Sequence, residues 1–406
     1  MKDLTLADLC ALVVDCKNRT PPEAAPGEEI AGLAIGTPHI VNGRIRLSDA
    51  KPVNRQVFDT WTARAVPQAG DIVLTREAPV GRVGRVEDGM RLCLGQRTML
   101  LRPHEQRVDS RFLHYFLLSP YIQGLLHSQA SGSTVAHLRV GQVRDLRIPA
   151  VPEVTEQRRI GAVLGALDDK IAVNERLAMT ADALSHALFD GTFRSTARED
   201  RAGWTPGHLS DICSTQYGYT ASSSADPTVG PKFLRVKDIN KRNWITWSDV
   251  PHCEINDQDF EKYRLNTGDV LVARMADPGK SALVEEATDA VFASYLVRLK
   301  TPSLAHSYFV WGFLKSDAYA RYANSSRGGS VQANMNAKVI VGAPLVIPPP
   351  EAMEQYLRSV RPVRERLTLA LRESTRLATL RDTLLPHLMS GRLRVMDAEK
   401  MVEDAT

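Results

Sequence analysis

The feature that most constrains how this chain can fold is an internal repeat, in which the second half follows the plan of the first at an offset of roughly 200 residues. The landmarks recur in the same order. They pair residues 6–10 with 209–213, 70–76 with 268–274, Gly132-Ser133 with Gly329-Ser330, Ile148-Pro149 with Ile347-Pro348, and Glu156-Gln157 with Glu354-Gln355. Because the order is kept, the 406 residues are expected to form two similar lobes.

Each repeat has a β-rich first part and a helical second part, and the change falls at the Ile-Pro landmark. Beyond it, apolar residues keep a three-four spacing that forms one narrow stripe along a helix. We expect Gly191 to end the first helix and Pro362 to start or kink the second. The stripe residues are Ile160, Leu164, Leu167, Ile171, Asn174, Leu177 and Leu184 in the first helix and Val363, Leu367, Leu377, Leu380 and Leu384 in the second.

A stripe this narrow does not bury a helix of about 35 residues in a globular core, so each helix needs a partner of the same kind. We therefore predict an α+β fold, in which two similar domains are joined by two long helices packed as an antiparallel coiled coil with a pseudo-two-fold internal repeat. The polar Asn174 would set the register of the helices or serve as a docking position. The predicted segments are 1–150 (first domain), 151–192 (central helix), 200–348 (second domain), 349–392 (C-terminal helix) and 393–406 (tail).

Two similar heads on a helical spacer suit a ligand that repeats along an axis, and duplex DNA is such a ligand. A helix of about 35 residues spans roughly 50 Å. This length is of the same order as the ~34 Å between half-sites one duplex turn apart. Paired helices could equally serve only to hold two domains together, and periodicity leaves both interpretations open.

Basic and amide side chains in both heads are typical of nucleic-acid contacts. Arg can read guanine and Asn can read adenine, so segments 39–46 and 237–243 are candidate reading loops, while 131–134 and 325–330 are candidate phosphate-binding segments. The net charge of only +4 restricts a basic surface to local patches. The candidate DNA-binding residues are His39, Asn42, Arg44, Arg46, Arg76, Ser131, Ser133, Thr134, Arg235, Lys237, Asp238, Asn240, Lys241, Arg242, Asn243, Trp244, Arg274, Ser325, Arg327 and Ser330.

Motifs for catalysis, metal binding and cofactor binding are missing. The segment before Lys280-Ser281 begins with arginine where a phosphate-binding P-loop needs glycine. The double prolines lack the flanking residues of an amino-methyltransferase motif, and the five cysteines are scattered, so neither a zinc site nor a disulfide framework is expected. Carboxylates near Lys280, namely Asp277, Glu285 and Glu286, leave a nuclease site open. The enzyme-class alternative is a self-contained nuclease or methyltransferase with tandem recognition domains.

The chain has neither a secretory signal nor about 18 consecutive apolar residues, which predicts a cytoplasmic protein without a membrane partner.

In these features the chain resembles the specificity subunits of Type I restriction-modification systems, from Leu6 to about Val395. The most specific part is the distal segment 377–391, which reads Leu-Ala-Thr-Leu-Arg-Asp-Thr-Leu-Leu-Pro-His-Leu-Met-Ser-Gly. The central segments 148–160 and 171–174 are also similar to the family. Segments 70–78 and 268–274 look like the strand shared by its target recognition domains.

The resemblance implies a non-catalytic subunit whose two target recognition domains each read one half of a split, asymmetric DNA site. The helices would fix the gap and dock two methyltransferase subunits, which bind S-adenosylmethionine. A restriction subunit that uses ATP and magnesium would join them, and this chain itself would bind no cofactor or metal. The alternatives are a specificity subunit of a related Type II-like methyltransferase or nuclease system, and a tandem protein-binding scaffold.

Overall fold

The computed structural model describes residues 4–17, 19–130, 136–193, 203–286, 288–326 and 335–404. The chain forms two compact units, of which the first contains Met1–Ile171 with Arg376–Thr406 and the second contains Ala172–Thr375. Each unit therefore combines one β-rich part of the repeat with a segment of each long helix. The predicted domains divide the chain differently, because they leave each long helix outside the β-rich parts. No helix in these residues is long and apolar enough to cross a membrane.

The first unit contains a four-stranded antiparallel sheet in the order β2-β10-β7-β8, a three-stranded sheet in the order β6-β3-β9, and the pairs β4-β5 and β1-β11. Its strands are β1 (Leu4–Thr5), β2 (Cys10–Asp15), β3 (Gly32–Ile35), β4 (Ile40–Val41), β5 (Arg44–Ile45), β6 (Lys51–Val53), β7 (Ile72–Thr75), β8 (Val83–Arg85), β9 (Leu92–Leu94), β10 (Thr98–Pro103) and β11 (Arg147–Ile148).

Helices cover one face of the four-stranded sheet in the first unit. Alternate residues of β7 belong to different apolar clusters: Ile72 and Leu74 pack with Phe112, whereas Val73 packs with Ile45. Because both faces of this strand are buried, its sequence is a continuous apolar run and does not alternate with polar residues. The short helices are α1 (Arg55–Trp61), α2 (Ser110–Leu118), α3 (Pro120–Gln129) and α4 (Val140–Arg144), and the long helix α5 (Val154–Phe193) follows them.

The second unit contains a four-stranded antiparallel sheet in the order β13-β18-β15-β16 and the pairs β12-β19 and β14-β17. Its strands are β12 (Thr205–His208), β13 (Ser214–Tyr217), β14 (Lys232–Leu234), β15 (Val270–Ala273), β16 (Ser281–Leu283), β17 (Ala290–Phe292), β18 (Leu296–Lys300) and β19 (Pro344–Ile347). Its short helices are α6 (Val236–Ile239), α7 (Asp257–Tyr263), α8 (Leu304–Lys315), α9 (Asp317–Ser325) and α10 (Ala337–Val341).

The Gly-Asp landmark of the repeat has a structural explanation in each unit. Gly70 has a φ of +90°, a conformation that favours glycine, and Asp71 accepts hydrogen bonds from Arg102 Nε at 2.9 Å and Nη2 at 2.8 Å. The motif thus starts strand β7 and fixes it to β10. In the second unit the same roles fall to Gly268, Asp269 and the buried Arg298.

The long helices α5 and α11 (Pro350–Met389) each contain 40 residues. Pro362 lies inside α11, so the expectation that it starts this helix is wrong. The helix begins at Pro350 instead, because proline is well suited to the first turn, where its missing N–H costs nothing. Gly191 is the third residue from the end of α5 and does not stop it. These helices, together with the β-sheets of both units, confirm the predicted α+β class.

Segments of the two long helices contact each other within each unit. In the first unit, Ile160, Leu164, Leu167 and Ile171 share one apolar cluster with Leu377 and Leu384. In the second, Asn174 Nδ2 donates to Glu373 Oε2 at 2.9 Å, and Arg364 Nη1 donates to Asp182 Oδ1 at 2.7 Å. Residue numbers fall along α11 as they rise along α5, so the segments of the second unit run antiparallel.

The predicted stripe agrees with the observed burial except at its distal end. Leu367 is buried, and Leu177, Val363 and Leu380 are half-buried, but Leu184 is 46 % exposed. The physical reason is that an α-helix has 3.6 residues per turn, whereas a seven-residue repeat corresponds to 3.5 residues per turn. Positions seven residues apart therefore move gradually around the helix. The positions buried in its place are Ala181, Asp182 and Ser185.

The chain ends in a further helix that sequence analysis interpreted as a tail. Helix α12 (Val395–Glu403) buries Val395, Ala398 and Val402 in the main apolar cluster of the first unit. Its three apolar positions have helical spacing, but a segment of nine residues is too short for periodicity to predict a helix.

Candidate nucleic-acid interface

The loop that follows β14 in the second unit carries most of the predicted base-reading residues. Arg235 precedes α6 and donates from Nε and Nη2 to the Asp238 carboxylate, both at 2.9 Å, and from Nη1 to Ser223 Oγ at 3.1 Å. Asp238 also accepts from the Arg235 backbone N–H at 2.9 Å. Arg235 and Asp238 therefore hold the loop in shape.

A basic cleft of about 260 Å³ lies along this loop. Lys237 and Lys241 are exposed, and the Arg242 guanidinium lies 5.3 Å from the centre of the Trp244 ring. Four basic side chains against two carboxylates, those of Asp238 and Asp249, line the cleft. This excess of positive charge suits an anionic ligand with a polar face.

The end of the same loop faces the long helices of its unit. Asn243 Nδ2 donates to Asp182 Oδ2 at 2.8 Å, and the Asn243 backbone carbonyl accepts from Arg364 Nη2 at 3.3 Å. Trp244 is 5 % exposed and packs with Ala178 and Leu367. These contacts fix the base of the loop on α5 and α11. The half-buried Asn240 has an Oδ1 without a hydrogen-bond partner in the part of the chain that is described.

In the first unit, the predicted reading loop 39–46 is a β-hairpin made of β4 and β5. Its two-residue turn is Asn42-Gly43, with φ values of +52° and +77°, which is the Asn-Gly combination that favours a tight hairpin. Asn42 and Arg46 are exposed, whereas His39 is half-buried and accepts a hydrogen bond from the Gly36 backbone N–H at 3.0 Å. The hairpin therefore presents Asn42 and Arg46 to solvent.

Arg44 of this hairpin faces helix α5. Its guanidinium lies 3.7 Å from Asp168 Oδ1 and also donates to the Asp168 backbone carbonyl. The same carboxylate accepts from Tyr115 Oη at 2.6 Å and from Arg381 Nη1 of α11 at 2.6 Å. Asp168 thus connects the hairpin to both long helices within the first unit.

The remaining predicted residues lie elsewhere. Arg76 is 13 % exposed and pairs with Asp15 at 3.1 Å. Arg274 lies over the Tyr217 ring with its guanidinium 5.0 Å from the ring centre, and Ser325 is exposed at the end of α9. The predicted positions that fall outside the described residues are Ser131, Ser133, Thr134, Arg327 and Ser330.

A buried ion-pair network in the second unit was missed by sequence analysis. Arg364 is 1 % exposed, donates to Asp182 at 2.7 Å and to both oxygens of Glu285 at 2.7 and 2.6 Å, and lies over the Trp311 ring. Burial raises the pKa of Glu285 above its ordinary value. For Asp182, burial acts in the same direction, but hydrogen bonds from His186 and Asn243 and the charge of Arg364 lower its pKa overall.

This network bears on the predicted nuclease alternative. Glu285 is engaged by Arg364, and Glu286 forms an ion pair with Arg372. Within the described residues, no group of three or more His, Cys, Asp or Glu side chains is arranged to hold a metal ion. Both glutamates near Lys280 therefore have arginine partners on α11.

Comparisons with known proteins show that the chain is similar to restriction-modification specificity subunits. Residues 2–179 match the family model described as the Type I restriction modification DNA specificity domain. The chain is 24 % identical over 344 residues to the Type I restriction enzyme MjaIX specificity subunit of Methanocaldococcus jannaschii, covering 80 % of this chain and 78 % of that protein. It is 27 % identical over 180 residues to the putative type I restriction enzyme MjaX specificity subunit of the same organism, covering 43 % and 40 %.

A solved structure supports the same fold. The S subunit of a Type-I restriction-modification system from M. genitalium superimposes with a TM-score of 0.57 at 13 % identity, and the match covers 96 % of each chain. The predicted resemblance to the specificity subunits of Type I restriction-modification systems is thus confirmed.

Proposed function

We propose that this chain is the DNA-sequence-specificity subunit of a Type I restriction-modification complex and has no catalytic centre of its own. In this proposal, each β-rich part is a target recognition domain that reads one half of a bipartite, asymmetric duplex site. The observation that carries the proposal is the strand order, since β2-β10-β7-β8 in the first unit corresponds strand for strand to β13-β18-β15-β16 in the second. A duplicated lobe suits two similar half-sites on one duplex.

The candidate residues divide into a reading group and an anchoring group. Exposed side chains at the loop surfaces would contact bases and phosphates. Side chains that are buried or ion-paired would hold the loops on the long helices. The reading group is Asn42, Arg46, Lys237 and Lys241, together with the half-buried Arg242, and the anchoring group is Arg44, Arg76, Arg235, Asp238, Asn243 and Trp244.

The long helices would act as an antiparallel coiled coil that sets the gap between the half-sites. A helix of 40 residues is about 60 Å long. The contacts of Asn174 with Glu373 and of Asp182 with Arg364 support this role, because polar pairs at a helix interface fix its register.

The same helices would dock two methyltransferase subunits. Val173, Met179 and Leu184 on α5 are each about half exposed, at 46 %, 54 % and 46 %, and exposed apolar side chains on one helix suit a protein partner. S-adenosylmethionine would be bound by those partners, and ATP and magnesium by a restriction subunit. Duplex DNA is the ligand of this chain.

Selection from random-site duplexes by the chain with its methyltransferase partner tests the proposal. We expect enrichment of one bipartite motif, and K237Q and K241Q should weaken binding of all duplexes by a similar factor without changing the motif, because lysines contact phosphates more than bases. K338Q, at an exposed lysine of α10, is the matched control. Enrichment of no bipartite motif would favour a protein-binding scaffold, and methylation by this chain alone would favour an enzyme.

A further inference from the structure

A cavity of about 400 Å³ in the second unit is not used by the proposed DNA reading. It lies between the turn that connects β15 with β16 and the helices α8 and α9, and its charged or basic lining residues are Lys280, Lys315 and His186. Asn243, Ser281 and Tyr319 add polar groups. No carboxylate is found among the described residues that line the cavity.

Lys315 is the central charge of this cavity. Its Nζ donates to Asn243 Oδ1 at 3.0 Å and to the Ser281 backbone carbonyl at 2.6 Å, and both acceptors are neutral. Among the described residues, the hydrogen-bond acceptors of Lys315 Nζ are these two neutral oxygens, and no carboxylate forms an ion pair with it. A half-buried ammonium group without a counter-ion favours the uptake of an anion.

The charges around Lys315 also favour the binding of an anion. Burial lowers the pKa of Lys315 to about 8, while Asp182 raises it and the positive charges of Lys280 and Arg364 lower it further. An anion in the cavity would offset both the burial and the repulsion from Lys280, so its binding should raise this pKa.

Hydroxyl groups add donors that a bound anion could use. Ser281 Oγ and Tyr319 Oη are buried and have no hydrogen-bond partner among the described residues. Buried hydroxyls are normally satisfied. Both residues line the cavity, and their hydroxyls have no other partner among the described residues.

The corresponding place in the first unit is filled by a side chain. There, Gln123 of α3 donates from Nε2 to the Gly81 carbonyl at 2.9 Å and to the Leu117 carbonyl at 2.6 Å. In the second unit, the corresponding helix α9 carries the exposed Ala320, which lines the cavity. The small alanine leaves open the space that glutamine occupies in the first unit.

We propose that this cavity binds a phosphate group, with Lys280 and Lys315 as its cationic partners. Lysine ammonium groups are common phosphate ligands. The phosphate would come either from the backbone of the bound duplex or from a free nucleotide. Binding of a duplex phosphate rests on the proposed function, because Asn243 connects the cavity to the loop that carries the basic cleft. Binding of a free nucleotide does not depend on the proposed function.

Two variants of the full chain test the proposal. K280Q removes an exposed charge from the cavity lining, and A320Q places a glutamine where the first unit has Gln123; K338Q is the control. Titration calorimetry measures the affinity for inorganic phosphate and for 2′-deoxyadenosine 5′-monophosphate, and so tests binding of a free nucleotide. Anisotropy with a duplex over a series of salt concentrations measures the duplex source.

Each outcome decides a different point. If the source is a free nucleotide, K280Q and A320Q should weaken the mononucleotide at least tenfold and leave the salt dependence of duplex binding unchanged. If it is DNA, the same variants should lower the slope of log K against log salt concentration by about 0.9, which corresponds to one lost phosphate contact. Wild-type behaviour of both variants in both assays would overturn the proposal. Lack of a bipartite DNA preference would refute the proposed function, yet the mononucleotide arm would still decide this inference.

Discussion

Charged residues in the interior of the second unit depend on one another, and Arg364 is at their centre. Its guanidinium satisfies Asp182 and Glu285 together. Removal of one partner from a buried ion pair leaves an uncompensated charge, which is far more costly than the loss of an exposed pair.

Arg364→Ala should therefore lower the free energy of unfolding by about 3–5 kcal/mol. Urea titration of the purified chain measures it. Arg361→Ala is the matched control on the same helix, since Arg361 pairs with Glu365 and both side chains are 55 % exposed; only a small change is expected. Equal effects of the two variants would contradict the assignment of Arg364 to the interior.

A buried histidine makes the first unit sensitive to acid. His114 on α2 is 6 % exposed, and burial lowers its pKa to about 4. The pKa in the folded state is thus below the unfolded value of about 6.5, so the unfolded chain binds the proton more tightly. This contribution to stability is present above pH 6.5 and is lost as the pH falls towards 4.

We expect His114→Leu to reduce the loss of stability between pH 6.5 and 4 by up to about 3 kcal/mol. Urea midpoints measured at several pH values test this expectation. His387→Leu is the matched control, because it removes a histidine whose side chain is exposed. A wild-type pH profile in the His114 variant would show that another group is responsible.

At the scale of elements, the long helices could be predicted because their apolar stripe repeats over many turns. The shorter α12 could not, and neither could Arg364, because a charged residue in a stripe is ordinarily read as a surface residue. Its partner Glu285 lies 79 residues away in the sequence, and only the tertiary fold brings the two side chains together. The candidate reading loops were located by composition, but their division into exposed and anchoring side chains depends on tertiary contacts with α5 and α11.

The register of the helices predicts how the gap between half-sites can be changed. Asn174 and Glu373 contact each other, and the helices run antiparallel at this point. Seven residues inserted after Asn174 together with seven inserted before Glu373 should therefore lengthen both helices at facing positions and keep this contact. Seven residues add about 10 Å, which is about three base pairs at 3.4 Å each. Methylated-motif sequencing should show a wider gap between unchanged half-sites.

An insertion after Asn174 alone is the control for this design. It should shift one helix against the other and reduce the stability of the chain, because the interface would lose its matched pairs. A gap that stays the same in the double insertion would contradict the spacer role.

At the scale of the whole molecule, two units have the same strand order in their four-stranded sheets. In the proposed function, this duplication lets one chain read two different half-sites. The sheets and the Gly-Asp motifs are shared. The surfaces differ, since the first unit exposes a hairpin with Asn42 and Arg46, and the second exposes the loop that follows β14. Similar scaffolds with different loops are what an asymmetric bipartite site requires.

The most direct test is to exchange residues 200–348 for the corresponding residues of another family member and to sequence the methylated motifs of cells that carry the complex. The account predicts that one half-site changes to that of the donor, while the other half-site and the gap stay the same. A change in both half-sites, or in neither, would contradict it.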